Sequence, residues 1–326
     1  MLSASWVSLE KLCSQHNEFN REIFVQAAAV ANQFHFIEVD RNGTYQFFTK
    51  QGIAVPRSQS FENLKELAQL MSVPCVVKAS TKESLGPQTQ IVNNTADYKT
   101  VVQTFLKRQY TKGIVQDRVD GIESTVTVIV GKHNWQLLGT AHDYKKLYIG
   151  NLGPNTGGMG SIAPAAAPLD QIDRIVTILK EQFDYKGFLS CQFKGHWLLE
   201  CNTRICDPEM QSMAMSLTPH VYTQMEQMLH DKQIDQTVQI PVNAVTVCLM
   251  HVDWPNKQQP ATIKLPKSKF FINYDPGILH NTCYLASITN FGNSSHQDLA
   301  QEIYAYLDAV NLSNYRYRTD IGVIYN

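Results

Sequence analysis

Two short runs carry most of the chemistry in this chain: Gly153-Pro154-Asn155-Thr156-Gly157-Gly158-Met159-Gly160 and Glu200-Cys201-Asn202-Thr203-Arg204-Ile205-Cys206-Asp207-Pro208-Glu209. Four glycines in eight residues let backbone N–H groups come close to an anion. In the second run, a strand over Trp197 to Cys201 puts Glu200 and Asn202 side by side, because side chains two apart share a face. A carboxylate and an amide oxygen suit Mg2+ (or Mn2+), a hard ion that leaves room for water and for nucleotide phosphate oxygens. Arg204 extends that face if the strand persists. An isolated Glu-x-Asn is usually a solvated strand end, and a glycine-rich stretch is usually a surface loop; their co-occurrence points to phosphate chemistry. The glycine run does not open a helix as a dinucleotide fingerprint does, and it lacks the Gly-Lys-Ser/Thr ending of a P-loop.

Other residues could join such a site. Lys78 ends the apolar run Cys75-Val76-Val77 and could reach a phosphate from the mouth of a sheet, or simply end a strand in solvent. The segment Gln116-Asp117-Arg118-Val119-Asp120-Gly121-Ile122-Glu123 reads either as a polar turn or as a hinge between two lobes. In a hinge, backbone groups around Gln116 and Val119 could read an adenine edge, and Glu123 could hold ribose hydroxyls or stand beside a metal. His142-Asp143-Tyr144-Lys145-Lys146 mixes an acid with two cations, which would suit a substrate amine and a phosphate; equally it fits a charged surface turn. Cys206 reads as a packed thiol.

These residues need elements to position them. The chain has 326 residues, enough for two or three domains, with 44% hydrophobic and 17% charged side chains. The net charge of -1 provides no field for a polyanion or an acidic membrane, so a small-molecule ligand is expected, with no nucleic acid and no membrane. Seven cysteines without a CxxC pair fit reduced cytosolic thiols, and no apolar run approaches the ~20 residues of a membrane span. A cytoplasmic protein is expected.

Arg21 to Asn32 has helical spacing, whereas Asn42-Gly43 between Phe34–Ile37 and Tyr45–Phe47 predicts a hairpin. Ser60 is expected to cap a helix carrying Leu64, Leu67 and Met71, followed by a strand to Lys78, a helix over Ala96 to Arg108 and a strand over Gly113 to Val119. Ser124 to Gly131 and Trp135 to Gly139 read as strands, Ile172 to Phe183 as a helix, and Phe188 to Phe193 with Trp197 to Cys201 as a hairpin. Ser295 and Asp298 form a capping box ahead of Leu299, Ile303, Leu307 and Val310. The domains expected are a lead-in over 1–46, a body over 47–240 and a C-terminal unit over 241–326.

Taken in order, these motifs resemble the ATP-grasp ligases, most closely the phosphoribosylamine-glycine ligase (glycinamide ribonucleotide synthetase) family. The loop Gly-Pro-Asn-Thr-Gly-Gly-Met-Gly matches that family's own, Arg204 to Gln211 is similar to its R-F-G-D-P-E-x-Q signature, and Arg316 to Gly322 looks like its final R-x-D-I-G. The resemblance implies an α+β ATP-grasp fold, two lobes clamping ATP, with a short N-terminal lead-in and a small C-terminal α/β domain. It implies that ATP phosphorylates the glycine carboxylate and that phosphoribosylamine then displaces phosphate. It further implies Mg2+ on Glu200 and Asn202, nucleotide contacts from Lys78, Gln116, Val119 and Glu123, and charge stabilisation by Arg204. Asp143, Lys145, Asn155, Thr156, Gly157, Gly158 and Asp207 would then position the substrates.

The chain departs from the family at three places. The glycine-rich phosphate lid reads Lys78-Ala79-Ser80-Thr81-Lys82-Glu83-Ser84-Leu85-Gly86-Pro87, with one glycine. The lead-in is about half the length of the family's N-terminal domain, so a partner chain could replace part of it. Gln116 stands where the family has a hinge acid, and Cys206 where it has glycine. These differences leave open a ligase for another amino acid or amine, or a non-catalytic nucleotide-binding member.

Overall fold

The structure is a computed structural model that describes residues 4–80, 89–253, 263–274, 284–310 and 313–325. Most of the lid segment, including Lys82, lies outside the described residues. The chain opens with four helices, α1 (Ala4–Cys13), α2 (Arg21–Val30), α3 (His35–Val39) and α4 (Arg41–Lys50). The hairpin expected at Asn42-Gly43 is therefore the first turn of α4. Asp40 caps that helix, its Oδ1 accepting from the Gly43 N–H at 2.9 Å. Tyr45 and Phe48 are then buried at helical spacing, an arrangement that outweighs the local turn preference of Asn-Gly.

Next come β1 (Ser58–Phe61), α5 (Leu64–Leu70), β2 (Cys75–Ala79), β3 (Thr89–Val92), α6 (Asp97–Lys107) and β4 (Gly113–Asp117). The strands form an antiparallel sheet in the order β1-β4-β2-β3. Phe61, Leu67, Val77, Val101 and Phe105 pack between this sheet and its two helices. Asn63, not Ser60, caps α5, accepting from Lys65 N and Glu66 N at 3.0 and 3.1 Å; Ser60 lies in β1, paired with Ile114.

The remainder builds a second, larger sheet: β5 (Glu123–Val130), β6 (Trp135–Asp143), β7 (Lys146–Tyr148), β8 (Leu152–Asn155), β9 (Gly160–Ala163), α7 (Leu169–Phe183), β10 (Gly187–Lys194), β11 (Trp197–Asn202), α8 (Glu209–Met213) and α9 (Val221–Leu229). β12 (Asn243–His251), β13 (Phe271–Tyr274), β14 (Tyr284–Gly292), α10 (His296–Val310) and β15 (Tyr315–Arg316) follow. The sheet order is β11-β10-β5-β6-β9-β12-β14-β13, with β15 also on β12, while β7 and β8 form a separate ribbon. The glycine run is thus part of a ribbon and a strand start rather than a free loop. The capping box of α10 forms as expected, with Asp298 N donating to Ser295 Oγ at 3.1 Å.

Alternation along β5, β10 and β11 gives the large sheet two unlike faces. Val126, Val128, Val130, Leu189, Cys191 and Phe193 pack against α7. The opposite face is apolar at one end, where Ile129 and Phe188 meet Trp6, Phe24 and Met210 from α1, α2 and α8, and polar at the other, where Thr125, Thr127, Ser190, Gln192, Glu200 and Asn202 lie. The N-terminal helices also reach the C-terminal strands: Asn273 Nδ2 donates to Ser8 Oγ at 2.6 Å and Lys11 Nζ to Asn273 Oδ1 at 2.9 Å. Cys13, Cys75, Cys191, Cys201, Cys206 and Cys248 are buried and in the thiol form, outside any disulfide. Among the described residues no helix is long and apolar enough to cross a membrane.

Candidate active site

The polar end of the large sheet is built by strand register. Gln192 of β10 lies opposite Glu200 of β11 on one side and Thr125 of β5 on the other, so three polar side chains form a row across three strands. Ser190 likewise lies between Asn202 and Thr127, and its hydroxyl is 2.9 Å from that of Thr127. Glu200 and Asn202 share a face as expected, with Asn202 Nδ2 3.3 Å from Glu200 Oε1. Asn202 is buried, and the Glu200 side chain is 27% exposed. Arg204 falls beyond the end of β11, and its guanidinium pairs with Glu38 of α3 at 2.9 Å instead of continuing the row.

Helix α4 brings a second set of charges to the same edge. Arg41, with a side chain 10% exposed, donates from Nη1 to Ala79 O at 2.9 Å, and its Nη2 lies 3.9 Å from Glu200 Oε2. One turn on, Tyr45 accepts from Lys78 Nζ at 2.8 Å and donates to Leu199 O. Lys78 also lies over the Tyr45 ring, 5.2 Å from its centre. Helix α4 thus ties β2 of the small sheet to β11 of the large one.

Residues 118–122 connect β4 to β5, joining the two sheets, so the expected hinge position is where the two lobes meet. Gln116 is buried at the end of β4, and among the described residues its Nε2 has no hydrogen-bond partner. Val119 is half-buried within the connection. Glu123 opens β5, with its carboxylate 3.8 Å from Lys194 Nζ and 4.0 Å from Lys145 Nζ.

The densest electrostatics surround Lys145. Its Nζ donates to Gln192 Oε1 at 2.7 Å and pairs with Asp143 Oδ2 at 3.1 Å. Glu209, the first residue of α8, is fully buried, its Oε1 accepting from Thr125 Oγ1 at 2.8 Å and from Gln192 Nε2 at 3.3 Å. Burial pushes the Asp143 carboxyl well above the usual carboxylate range, with Lys145 opposing and Glu209 adding to the rise. Burial raises Glu209 as well, with Lys145 and Thr125 opposing. For Lys145, burial works against the ammonium, but the surrounding Asp143, Glu123, Glu209 and Glu200 carboxylates outweigh it and hold the pKa above the ordinary lysine value. Oxygens Oδ1 of Asp143 and Oε2 of Glu209 have no hydrogen-bond partner among the described residues.

The glycine turn closes over this cluster. Thr156 donates from both N and Oγ1 to Lys145 O, at 2.7 and 2.9 Å, and Gly158 N donates to Thr156 Oγ1 at 3.0 Å. Gly158 has φ +125°, and a Cβ there would sit 2.3 Å from Pro208 Cδ and 3.0 Å from Asp143 Oδ1. Glycine is therefore required for two separate reasons, conformation and space. Asn155 pairs with Lys146 in the ribbon, Gly157 lies in the turn, and Asp207 precedes Pro208, which Gly158 faces. From the C-terminal side, fully buried Arg318 forks onto Asp320 with two 2.7 Å bonds and donates to Lys146 O at 3.0 Å, anchoring the ribbon.

The structure brings Asp143, Lys145, Thr156 and Gly158 together on one side, with Gly157 between the last two in sequence and Asp207 acting on Arg204 and Glu209. On the other side it links Lys78 through Tyr45 to β11, which carries Glu200 and Asn202, with Gln116 to Glu123 at the junction. Glu38, Arg41, Tyr45, Thr125, Gln192 and Glu209 were not foreseen. Glu209 stood inside a quoted motif, but Gln192 and Thr125 acquire meaning only through register. Among the described residues no three His, Cys, Asp or Glu side chains cluster as a self-sufficient metal cage. The Glu200–Asn202 pair fits Mg2+ by its donor chemistry: two hard oxygen ligands at a half-open strand end, with other positions left to phosphate and water.

Two sheets joined by a hinge, with this site at their meeting edge, define an ATP-grasp protein. The chain belongs to the phosphoribosylglycinamide synthetase, ATP-grasp (A) domain family, whose model matches residues 40–210. It is 29% identical over 194 residues to a phosphoribosylamine–glycine ligase of Thermotoga maritima, covering 53% of this chain and 48% of that protein. It is 31% identical over 199 residues to the Caldanaerobacter subterraneus protein of the same name, covering 54% and 48%. The chain thus spans about half the length of these curated relatives. A crystal structure of the Thermotoga maritima ligase superposes with a TM-score of 0.72 at 22% identity, covering 91% of this chain and 80% of that one, a likeness of fold.

Proposed function

We propose that this chain is an ATP- and Mg2+-dependent carboxylate–amine ligase that joins glycine to 5-phosphoribosylamine, giving glycinamide ribonucleotide, ADP and phosphate. The observation that carries this reading is the convergence of two halves on one sheet face. The Lys145 ammonium, anchored by Asp143, bonds Gln192 of β10, which lies opposite Glu200 of β11. The names and motifs of the relatives supply the substrates.

ATP would lie between the sheets, its base at the 116–123 connection and its phosphates toward Lys78, Arg41 and the Glu200–Asn202 end. Glu200 and Asn202 would hold Mg2+, which when bound neutralises charge on the phosphates. A glycine carboxylate oxygen attacks the γ-phosphorus as the bond to ADP breaks, giving an acyl phosphate. The amine of phosphoribosylamine then attacks the acyl carbon; phosphate leaves with that carboxylate oxygen, and the nitrogen loses a proton. Phosphoryl transfer needs alignment and charge neutralisation more than a protein nucleophile, consistent with Cys206, whose thiol is buried and raised above its ordinary pKa by that burial. Lys145 and Arg204 would stabilise the transferring group. Asp143 Oδ1, Asp207 and the turn over Asn155 to Gly158 would position the amino acid and the phosphate-bearing amine.

The test is ADP release by the purified chain with ATP, Mg2+, glycine and freshly generated phosphoribosylamine, each omitted in turn. Turnover that needs all four and is lost in Glu200→Ala supports the reading. ATP binding without turnover on these substrates would reject it in favour of another acid or amine, or of a binding role.

A further inference from the structure

We propose that Glu209 is a positioning residue that aims Lys145 through Gln192. A primary amide can point its oxygen or its NH2 group toward a neighbouring ammonium, and only the first arrangement is attractive. Glu209 decides between them. Its Oε1, fixed by Thr125 Oγ1 at 2.8 Å, accepts from Gln192 Nε2 at 3.3 Å, which turns Gln192 Oε1 toward Lys145 Nζ at 2.7 Å. The chain of bonds runs Thr125 to Glu209 to Gln192 to Lys145 to Asp143, crossing β5, α8, β10 and β6.

Each link in the relay is well shielded from water. Thr125, Gln192 and Glu209 are buried, and the Lys145 side chain is 28% exposed, so its outer face remains open to a ligand while its inner face is held. Position 209 is fixed independently of the relay: Pro208 O accepts from Ser161 Oγ at 2.8 Å, Ser161 Oγ lies 2.8 Å from Ser212 Oγ, and Ser212 Oγ lies 2.8 Å from Thr246 Oγ1. This hydroxyl ladder pins both ends of the first turn of α8 to β9 and β12. Charges facing Lys145 come from β5 (Glu123), β6 (Asp143), β11 (Glu200) and α8 (Glu209), with Lys194 of β10 beyond Glu123. Glu209 among these carboxylates also bonds the residue that bonds the lysine.

The role assigned to Lys145 rests on the ligase reading, so the test includes a measurement that needs no turnover. Acetic anhydride labelling of the folded protein at pH 9, with peptide mass spectrometry, reports the reactivity of each lysine. In E209Q and in Q192L, Lys145 is expected to label about tenfold faster than in the wild type while Lys194 is unchanged, because a loosened ammonium gains solvent, having lost its amide acceptor in Q192L and a nearby carboxylate in E209Q. If the wild type is an active ligase, each variant should also lose about tenfold in kcat with KM for ATP within about twofold, and the double variant should lose no more than either single one, since the two act in series. E209D, which keeps the charge, should recover part of both readouts. Q192L cuts the relay without substituting a residue of α8 and leaves the Thr125–Glu209 bond in place, so it tests the link to Lys145 even if E209Q does not fold. Unchanged Lys145 labelling in folded Q192L, or additive losses in the double variant, would overturn it; an inactive wild type with faster labelling in Q192L would reject the ligase reading and leave the relay standing.

Discussion

The two halves of the site are built on opposite principles. Around Lys145 the protein supplies its own counter-charges: Asp143 and Glu209 are buried, Gln192 and Thr125 complete the bonding, and the glycine turn packs over the top. At the other edge, Glu200 is partly open, Asn202 stands beside it, and Arg41 and Lys78 approach from a different sheet and helix. In the first half the lysine is held on its inner side by fixed partners, with one oxygen each of Asp143 and Glu209 left without a hydrogen-bond partner among the described residues, whereas the second sets hard oxygens beside cations at a partly exposed edge. The contrast teaches that this fold orients one cation with buried partners and leaves the Glu200–Asn202 edge more open to solvent.

The comparison breaks most sharply at Lys145. Lys145→Met leaves two buried carboxylates without their cation and should cost about 3 kcal/mol in urea unfolding at pH 8, with turnover down about 100-fold. The stability loss should shrink as the pH is lowered, because both carboxyls are held above their ordinary range and protonation removes the uncompensated charge; a loss that does not depend on pH would mean that packing rather than charge holds this half together.

Glu200→Ala should give the reverse pattern. Turnover falls about 100-fold while stability changes by less than about 1 kcal/mol, because the residue is half in water and contributes little to the core. A collapse in Tm would show that this edge is structural.

Arg41→Met sharpens the contrast further. It should raise KM for ATP about tenfold with a smaller change in kcat, as expected for a cation that binds phosphate equally in ground and transition states. An unchanged KM would remove Arg41 from the nucleotide site.

The smallest effect expected is in the pH dependence of stability. Asp143 and Glu209 have folded pKa values raised above 3.8 and 4.5, so the native state retains protons that the unfolded chain has released. Their contribution is therefore fully present in acid and is lost as pH rises from those unfolded values through the raised folded ones. Glu209→Gln removes one of these groups and relieves the other, so its stability should fall less steeply than that of the wild type above pH about 4.5. Parallel curves by thermal unfolding would contradict the cause assigned to the shifts.

Much of this arrangement was legible in the sequence. Alternation placed Glu200 and Asn202 on one face and Ser295 and Asp298 announced α10, whereas the glycine run, read as an approach of backbone N–H groups to an anion, packs Gly158 closely against Pro208. Asn42-Gly43 misled because a dipeptide signals a turn locally, while Asp40 below it and the buried Tyr45 and Phe48 after it favour a helix. Arg204 left the expected face because the chain turns after β11 and Glu38 was available to pair with it. Gln192 and Thr125 carry no local signal; they matter because register sets them in line with Glu200, and no spacing along one strand records that.

The most direct test of the ligase account follows an oxygen atom. With glycine labelled by 18O in its carboxylate, ATP, Mg2+ and phosphoribosylamine, the released inorganic phosphate should carry one 18O, because acyl phosphate cleavage leaves a carboxylate oxygen on phosphorus. Phosphate that carries no label from glycine and takes its new oxygen from water would show simple ATP hydrolysis and contradict the account.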